Sequence, residues 1–395
     1  MLDFQKHSAD YQQALLRQVV PFWLKNGRDE LCGGYFDALS ATGGVIEDDK
    51  FVTVQAQQAW AFAWLYNTFD GQPNWLIHAR HGTNFLRQFA HTDLLDCYAR
   101  LDRRGRPLTP ATDLVSACSV VMAYVQLHRA TGDNEWAISA KQTFGRLLQR
   151  REEICAQHRE SIGGFRQLRH LSEATTLLKT VLDMQPLLDE ESGKAAIDTA
   201  TYEVMHEFLD RRTDILREYI LPEGAFINTP EGRRLNVGLT FQTAGYLLDL
   251  CAKNGNQKIR DQATAWCLRM CEQAWDEATG GLNQYVDMKS QPSIFHDARQ
   301  KWAWVQIEAV SCLMKGHLQT RHPDCLKWFR RIHEYTFAHF PDQKHVGWHL
   351  VTDQQRQPLF SAKATPEIGC FSLIKCLTET AQTLIKCGQL KLTGK

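Results

Sequence analysis

Two kinds of helical segment alternate along this chain, and that alternation leaves few architectures open to it. Residues 5–25, 73–90, 133–152, 198–217, 255–276 and 321–340 are amphipathic, with charges gathered on one side. Between them, residues 51–66, 113–129, 168–184, 237–252, 301–316 and 366–386 are apolar nearly all round. A helix apolar on every side has to be enclosed, so the second class predicts an inner ring and the first an outer ring around it. The pair recurs about six times at roughly 60–65 residues, the kind of period that decides a fold.

The links alternate as well. Inner-to-outer links are short, as in Asn67–Gln72 and Ala130–Asp133. Gln72-Pro73-Asn74, Gly132-Asp133-Asn134 and His322-Pro323-Asp324 supply helix start signals. Outer-to-inner links are long and carry glycine-led extended stretches: Gly33-Gly34-Tyr35-Phe36, Gly163-Gly164-Phe165-Arg166 and Gly280-Gly281-Leu282-Asn283. Val346-Gly347-Trp348-His349 is a related case. These read as short hairpins or single strands. An α-solenoid would have short links on both sides. One elaborated face is the expected place for function.

Acidic and basic residues balance at 45 each, so net charge points to neither a nucleic acid nor an anionic membrane as partner. No apolar run approaches the roughly 18 residues of a membrane span. The opening residues lack the basic-then-apolar order of a signal peptide. The 12 cysteines sit scattered within apolar helical runs, as small buried hydrophobes do. Cys267 and Cys271 form a C-x₃-C pair without a second pair, a poor zinc signal. The expectation is a cytoplasmic protein with reduced thiols, one domain over residues 1–395, and no metal or cofactor.

Within the fifth inner segment, Lys301, Trp304, Glu308 and Ser311 share one stripe at helical spacing. A carboxylate one turn from an indole, with a lysine further upstream, suits a pocket for a polyhydroxylated ligand. No serine–histidine–acid spacing and no phosphate loop is present.

Several collinear motifs carry a resemblance. They are Gly33-Gly34-Tyr35-Phe36, Asp49-Lys50-Phe51, Gln55-Ala-Gln-Gln-Ala-Trp60, Arg129-Ala-Thr-Gly-Asp133 and His170-Leu-Ser-Glu-Ala174. Lys301-x-x-Trp304-x-Gln306-x-Glu308-Ala309 and Lys363-x-x-Pro366-x-x-Gly369-Cys370-Phe371 complete the set. With them the chain resembles the N-acylglucosamine 2-epimerase family, which includes cellobiose 2-epimerases and mannose isomerases. The resemblance implies an all-α fold, an (α/α)6 barrel (toroid) with short β-hairpins in the long loops on one face. It also implies proton exchange beside a sugar carbonyl. That chemistry needs a base, an acid and stabilisation of an enediolate oxyanion, and the family uses a histidine pair.

Carried over by position, the resemblance places the family's arginine on Gln57 and its preceding tryptophan on Thr53. The first catalytic histidine falls on Leu239, with Gln242 and Gly245 in place of a glutamate and a tryptophan. The second histidine falls on Ser372, a late tryptophan on Glu367 and an asparagine on Arg166. His170, Glu173, Trp304 and Glu308 keep the family identity. Glu308 and His170 are thus the candidate catalytic groups. Gln57, Arg166, Glu173, Gln242, Lys301, Trp304 and Ser372 are candidates for binding a small carbohydrate. Lys363 could add positive charge, and His296 and His349 lie in long links where a proton-transfer group could be recruited. A second copy of the chain is the expected assembly partner. The functional expectation is an isomerase of the epimerase type with both histidines replaced. The alternatives are a non-catalytic sugar-binding or regulatory protein, or a glycoside hydrolase pairing Glu308 with Glu367.

Overall fold

The computed structural model describes residues 2–69, 71–160 and 168–392. The chain runs through α1 (Phe4–Ala14), α2 (Val20–Asn26), α3 (Val52–Thr68), α4 (Pro73–Phe89), α5 (Leu114–Thr131), α6 (Asn134–Glu160) and α7 (Leu171–Met184). It continues through α8 (Glu190–Tyr202), α9 (Pro230–Arg233), α10 (Val237–Asn254), α11 (Gln257–Ala274), α12 (Ala303–Thr320), α13 (Pro323–His339) and α14 (Phe371–Leu392). The fold is an (α/α)6 barrel, whose inner helices are α3, α5, α7, α10, α12 and α14. Their burial explains the all-round apolar composition: every residue from Ser116 to Leu127 in α5 and from Val305 to Gly316 in α12 is buried. Outer helix α4 buries Trp75, His78, Ala79, Gly82, Thr83, Phe85 and Leu86, the spacing of one helical face.

Local chemistry sets the boundaries. Asp113 caps α5 by accepting from the Val115 and Ser116 N–H groups, and Asn236 caps α10 through Leu239 N–H. Pro73 and Pro323 open α4 and α13, where a missing N–H costs nothing. Gly132 and Gly255 end α5 and α10 in the left-handed region, at φ of 70° and 71°.

The long links hold short antiparallel strand pairs, most of them joining separate links rather than forming local hairpins. Lys50–Phe51 pairs with Arg100–Leu101, Arg234–Asn236 with Tyr285–Asp287, and Lys301–Trp302 with Val351–Thr352. Ala38–Leu39 with Val45–Glu47 and Leu209–Asp210 with Ile215–Leu216 are true hairpins. The first strand of each cross-link pair leads directly into an inner helix, so the elaborated links stand at the helix N-termini.

Two sequence expectations need correction. The amphipathic segment at 198–217 is displaced: α8 runs through a π-helical turn to Phe208, and a hairpin follows. Asp214, at φ 56°, turns that hairpin within Arg211-Arg212-Thr213-Asp214, whose charges imitate a helix face in sequence. The fifth inner helix also starts at Ala303, so Lys301 lies in a strand and not on the stripe of Trp304 and Glu308.

The chain divides into two compact units. An early unit comprises Phe22–Ala200 and Ala362–Phe371, with α3, α5 and α7. A late unit comprises Met1–Pro21, Thr201–Ser361 and Ser372–Lys395, with α10, α12 and nearly all of α14. No helix among the described residues is long and apolar enough to cross a membrane.

Candidate functional site

Each unit opens an inner helix with the same device. In the early unit Lys50 is fully buried, and its Nζ donates to Asp29 Oδ2 (3.1 Å) and to the Gly33 carbonyl. In the late unit Lys301 is equally buried and donates to Asp276 Oδ2 (3.0 Å) and Asn283 Oδ1. Five residues on, Gln55 accepts from Tyr35 N–H and donates to Tyr35 O, while Gln306 does both for Leu282. Each glutamine thus clamps the chain just after a glycine pair in the left-handed region, Gly33-Gly34 or Gly280-Gly281. Burial disfavours ionisation of Asp29 and Asp276, but hydrogen bonds from Arg103 and Lys50, and from Lys301, outweigh it and hold each carboxyl down to about 2. Lys301, a substrate-binding candidate in the sequence, is here engaged by Asp276 and Asn283.

Beyond this device the late unit carries a buried polar cluster. Glu308 is 2% exposed and accepts at both oxygens. Gln242 Nε2 (3.0 Å) and Ser372 Oγ (2.9 Å) donate to Oε1, and Lys375 Nζ (2.8 Å) donates to Oε2. Lys375 is 1% exposed and stands 4.7 Å over the Tyr246 ring. Burial draws the Lys375 ammonium down, but the surrounding negative groups, Glu308 among them, hold it well above its ordinary value.

The same three helices continue the pattern one and two turns deeper. Lys315 bridges Asp249 (2.8 Å) and Glu379 (3.0 Å), and Ser311 Oγ donates to Glu379 (3.0 Å). Gln242, Tyr246 and Asp249 on α10, Glu308, Ser311 and Lys315 on α12, and Ser372, Lys375 and Glu379 on α14 occupy helical spacings of three and four. The result is a chain of alternating acids and bases, buried at Glu308, Lys315 and Lys375 and partly exposed at Asp249.

The indole of Trp304, half-buried in the first turn of α12, lies directly against α10 at Gly238. A β-carbon at 238 would fall 2.2 Å from the ring, so glycine is required for this approach. Leu239, next in line, is buried and presents only hydrocarbon.

The early unit places its candidates differently. His170 precedes α7 in a short strand and caps that helix. Its Nδ1 accepts from Ser172 N–H (3.2 Å) and faces Ser172 Oγ at 2.6 Å. Glu173 follows, half-buried, in the first turn. Gln57 is half-buried on α3, and its side chain has no hydrogen bond among the described residues. Thr53 Oγ1 shares a bond with Ser116 Oγ at 2.9 Å. Arg166 lies outside the described residues.

Of the other candidates, Glu367 is exposed and Lys363 buried. His349 lies 3.8 Å from Asp342. His296 is exposed and lines a cavity of about 490 Å³ in the link between α11 and α12, beside Tyr285, Phe295 and Arg299. Sequence reasoning missed Lys375 and Tyr246. The available signal was a lysine three residues after Ser372 on an otherwise apolar helix, a place where an unpaired charge is not tolerated.

The two helix classes and the paired strands at the inner-helix starts define an (α/α)6 barrel. Residues 34–368 match the family model described as N-acylglucosamine 2-epimerase (GlcNAc 2-epimerase), and the chain belongs to that family. It is 27% identical to the N-acylglucosamine 2-epimerase of Bos taurus over 378 residues, covering 93% of this chain and 89% of the relative. The Homo sapiens N-acylglucosamine 2-epimerase is also 27% identical, covering 93% and 88%. The fold is similar to that of cellobiose 2-epimerase from Bacillus thermoamylovorans B4167, with a TM-score of 0.81, 16% identity, and 95% and 99% of the two chains covered.

Proposed function

We propose that this protein is a carbohydrate-binding member of its family whose exchange of the proton at sugar C2 is weak or absent. The observation that carries this reading is the engagement of Glu308 by Ser372, Gln242 and Lys375 together. Removal of the C2 proton needs a group with a free lone pair and a pKa near working pH. Position 372, where the family resemblance puts a histidine, holds a hydroxyl that donates its proton to Glu308. A serine hydroxyl, even one held by a carboxylate, is not itself a base with a pKa near working pH. Position 239 holds a buried leucine. Glu308 accepts three hydrogen bonds, one of them from an ammonium, so both its oxygens are already engaged.

Sugar binding does not need those missing groups. Trp304 and the link aromatics Tyr285 and Phe295, all in the late unit, present flat apolar faces. The curated relatives' names favour an N-acylhexosamine as the ligand class.

The test is incubation with N-acetylglucosamine, N-acetylmannosamine, mannose and cellobiose in D₂O, with C2 exchange followed by NMR and binding by calorimetry. Binding without appreciable exchange is expected, and Leu239→His/Ser372→His should raise exchange. Rapid exchange by the wild type would overturn the silent reading, and absence of binding to every sugar would overturn the carbohydrate reading.

A further inference from the structure

A group of side chains in the late unit, unrelated to the polar cluster, has the composition of a metal site. His7 and Asp10 lie three residues apart on α1 and share a face, and α13 supplies His333. One donor atom from each lies within 4.8 Å of the other two. The two imidazoles meet edge to face, with ring centroids 4.5 Å apart. His7 Nδ1 is buried, has no hydrogen-bond partner, and stands 3.7 Å from Asp10 Oδ2. That distance is too long for a hydrogen bond. It is close to the separation of about 3.4 Å that two ligands take on a tetrahedral ion with bonds of about 2.0–2.1 Å.

We propose that His7, Asp10 and His333 bind a divalent transition cation of the zinc class, clamping α1 to α13. Closing the widest separation to ligand distance takes about 1.4 Å, within the reach of small side-chain rotations. Tyr11 Oη lies 3.1 Å from His333 Nδ1. A tautomer that donates from Nδ1 to that oxygen leaves Nε2 with its lone pair, the usual arrangement for a metal-bound histidine. Lys6 and Arg330 oppose a cation here, and Asp10 and Asp3 offset them. Two histidines and one carboxylate leave a position for water, the donor set of open zinc sites. The ligands come from distant parts of the chain, which is why no spacing motif announces them.

Chelator-treated full-length protein titrated with Co(II) and Zn(II) tests this. One equivalent should bind, Co(II) should show visible bands of a nitrogen–oxygen site without a thiolate charge-transfer band, and Zn(II) should raise Tm. His7→Gln and Asp10→Asn, with folding checked by circular dichroism, should each abolish the signal, and Tyr11→Phe should weaken binding about 10-fold. No uptake, a thiolate signature from the buried cysteines, or binding that survives both ligand variants would overturn the proposal and leave the group as aromatic packing.

Discussion

The early and late units begin an inner helix alike and then part company. Lys50 and Lys301 each hold an aspartate, and Gln55 and Gln306 each clamp the chain after a glycine pair. Three and seven residues beyond the lysine, Thr53 and Gln57 stand in one unit where Trp304 and Glu308 stand in the other. The device that starts the helix is thus independent of the groups it presents. A lysine, an aspartate and a glutamine in this order report the fold, and function has to be sought in the residues between and after them.

The divergent half should yield the largest effect. Lys375→Met strands the Glu308 carboxylate in the interior and should cost about 3–5 kcal/mol in urea unfolding. Adding Glu308→Leu should recover much of that, because replacing both members of a buried pair with apolar groups is far cheaper than removing one. A double variant no more stable than the single would show that the pair does not act as a unit.

The shared half separates by its supporting cast. Asp29 also receives Arg103 at 2.9 Å, whereas Arg299 stays 3.6 Å from Asp276. Lys301→Ala should therefore cost about 3 kcal/mol or more, and Lys50→Ala about 1–2 kcal/mol, since Arg103 remains on the orphaned aspartate. Equal losses would break the argument that Arg103 shares the load.

Acid should act on both units through the same groups. Asp29 and Asp276 titrate at about 2 in the folded protein and near 3.9 when unfolded. Their folded values are depressed, so their contribution is present above about pH 4 and disappears as pH falls towards 2, by up to about 2.6 kcal/mol each. Asp29→Asn and Asp276→Asn should each flatten part of that acid limb in unfolding measured between pH 5 and 2. A limb unchanged by both would place acid sensitivity elsewhere.

Effects at the clamps should fall below those of Lys375→Met and Lys301→Ala. Gln55→Ala and Gln306→Ala each leave a buried N–H and C=O unpaired and should cost about 1–3 kcal/mol. Gln55→Ala should lie at the upper end, because Gln55 also donates to Asp37 at 2.7 Å. Thermal unfolding of the two variants side by side gives the comparison.

The architecture was legible because burial acts on whole helices: twelve consecutive enclosed residues in α5 cannot be disguised in sequence. The link-to-link strand pairs were less visible, since two-residue strands carry no periodicity. Lys301 was misread for that reason, as its place before Ala303 in a strand looks like one more helical turn. In the candidate site, Gln242, Glu308 and Ser372 were singled out from positional resemblance, and the structure joins them directly. Lys375 escaped because its helix was read for its apolar majority, and a buried cation shows itself only when its carboxylate partner on another helix is known. The capping role of His170 depends on a bond to Ser172 that spacing does not reveal.

The alternation of Asp249, Lys315, Glu379, Lys375 and Glu308 has a consequence for how this sequence can change over time. Lys315 answers two carboxylates on two other helices, so losing it weakens the hold on both at once. Single neutralising changes in this chain of charges should be purged, and change should arrive as matched pairs on different helices. A lineage that acquired a histidine at 372 would also have to resettle Glu308, since the serine is one of its three donors. Loss at such a position tends to become a ratchet: each compensating partner acquired afterwards makes the original residue harder to readmit.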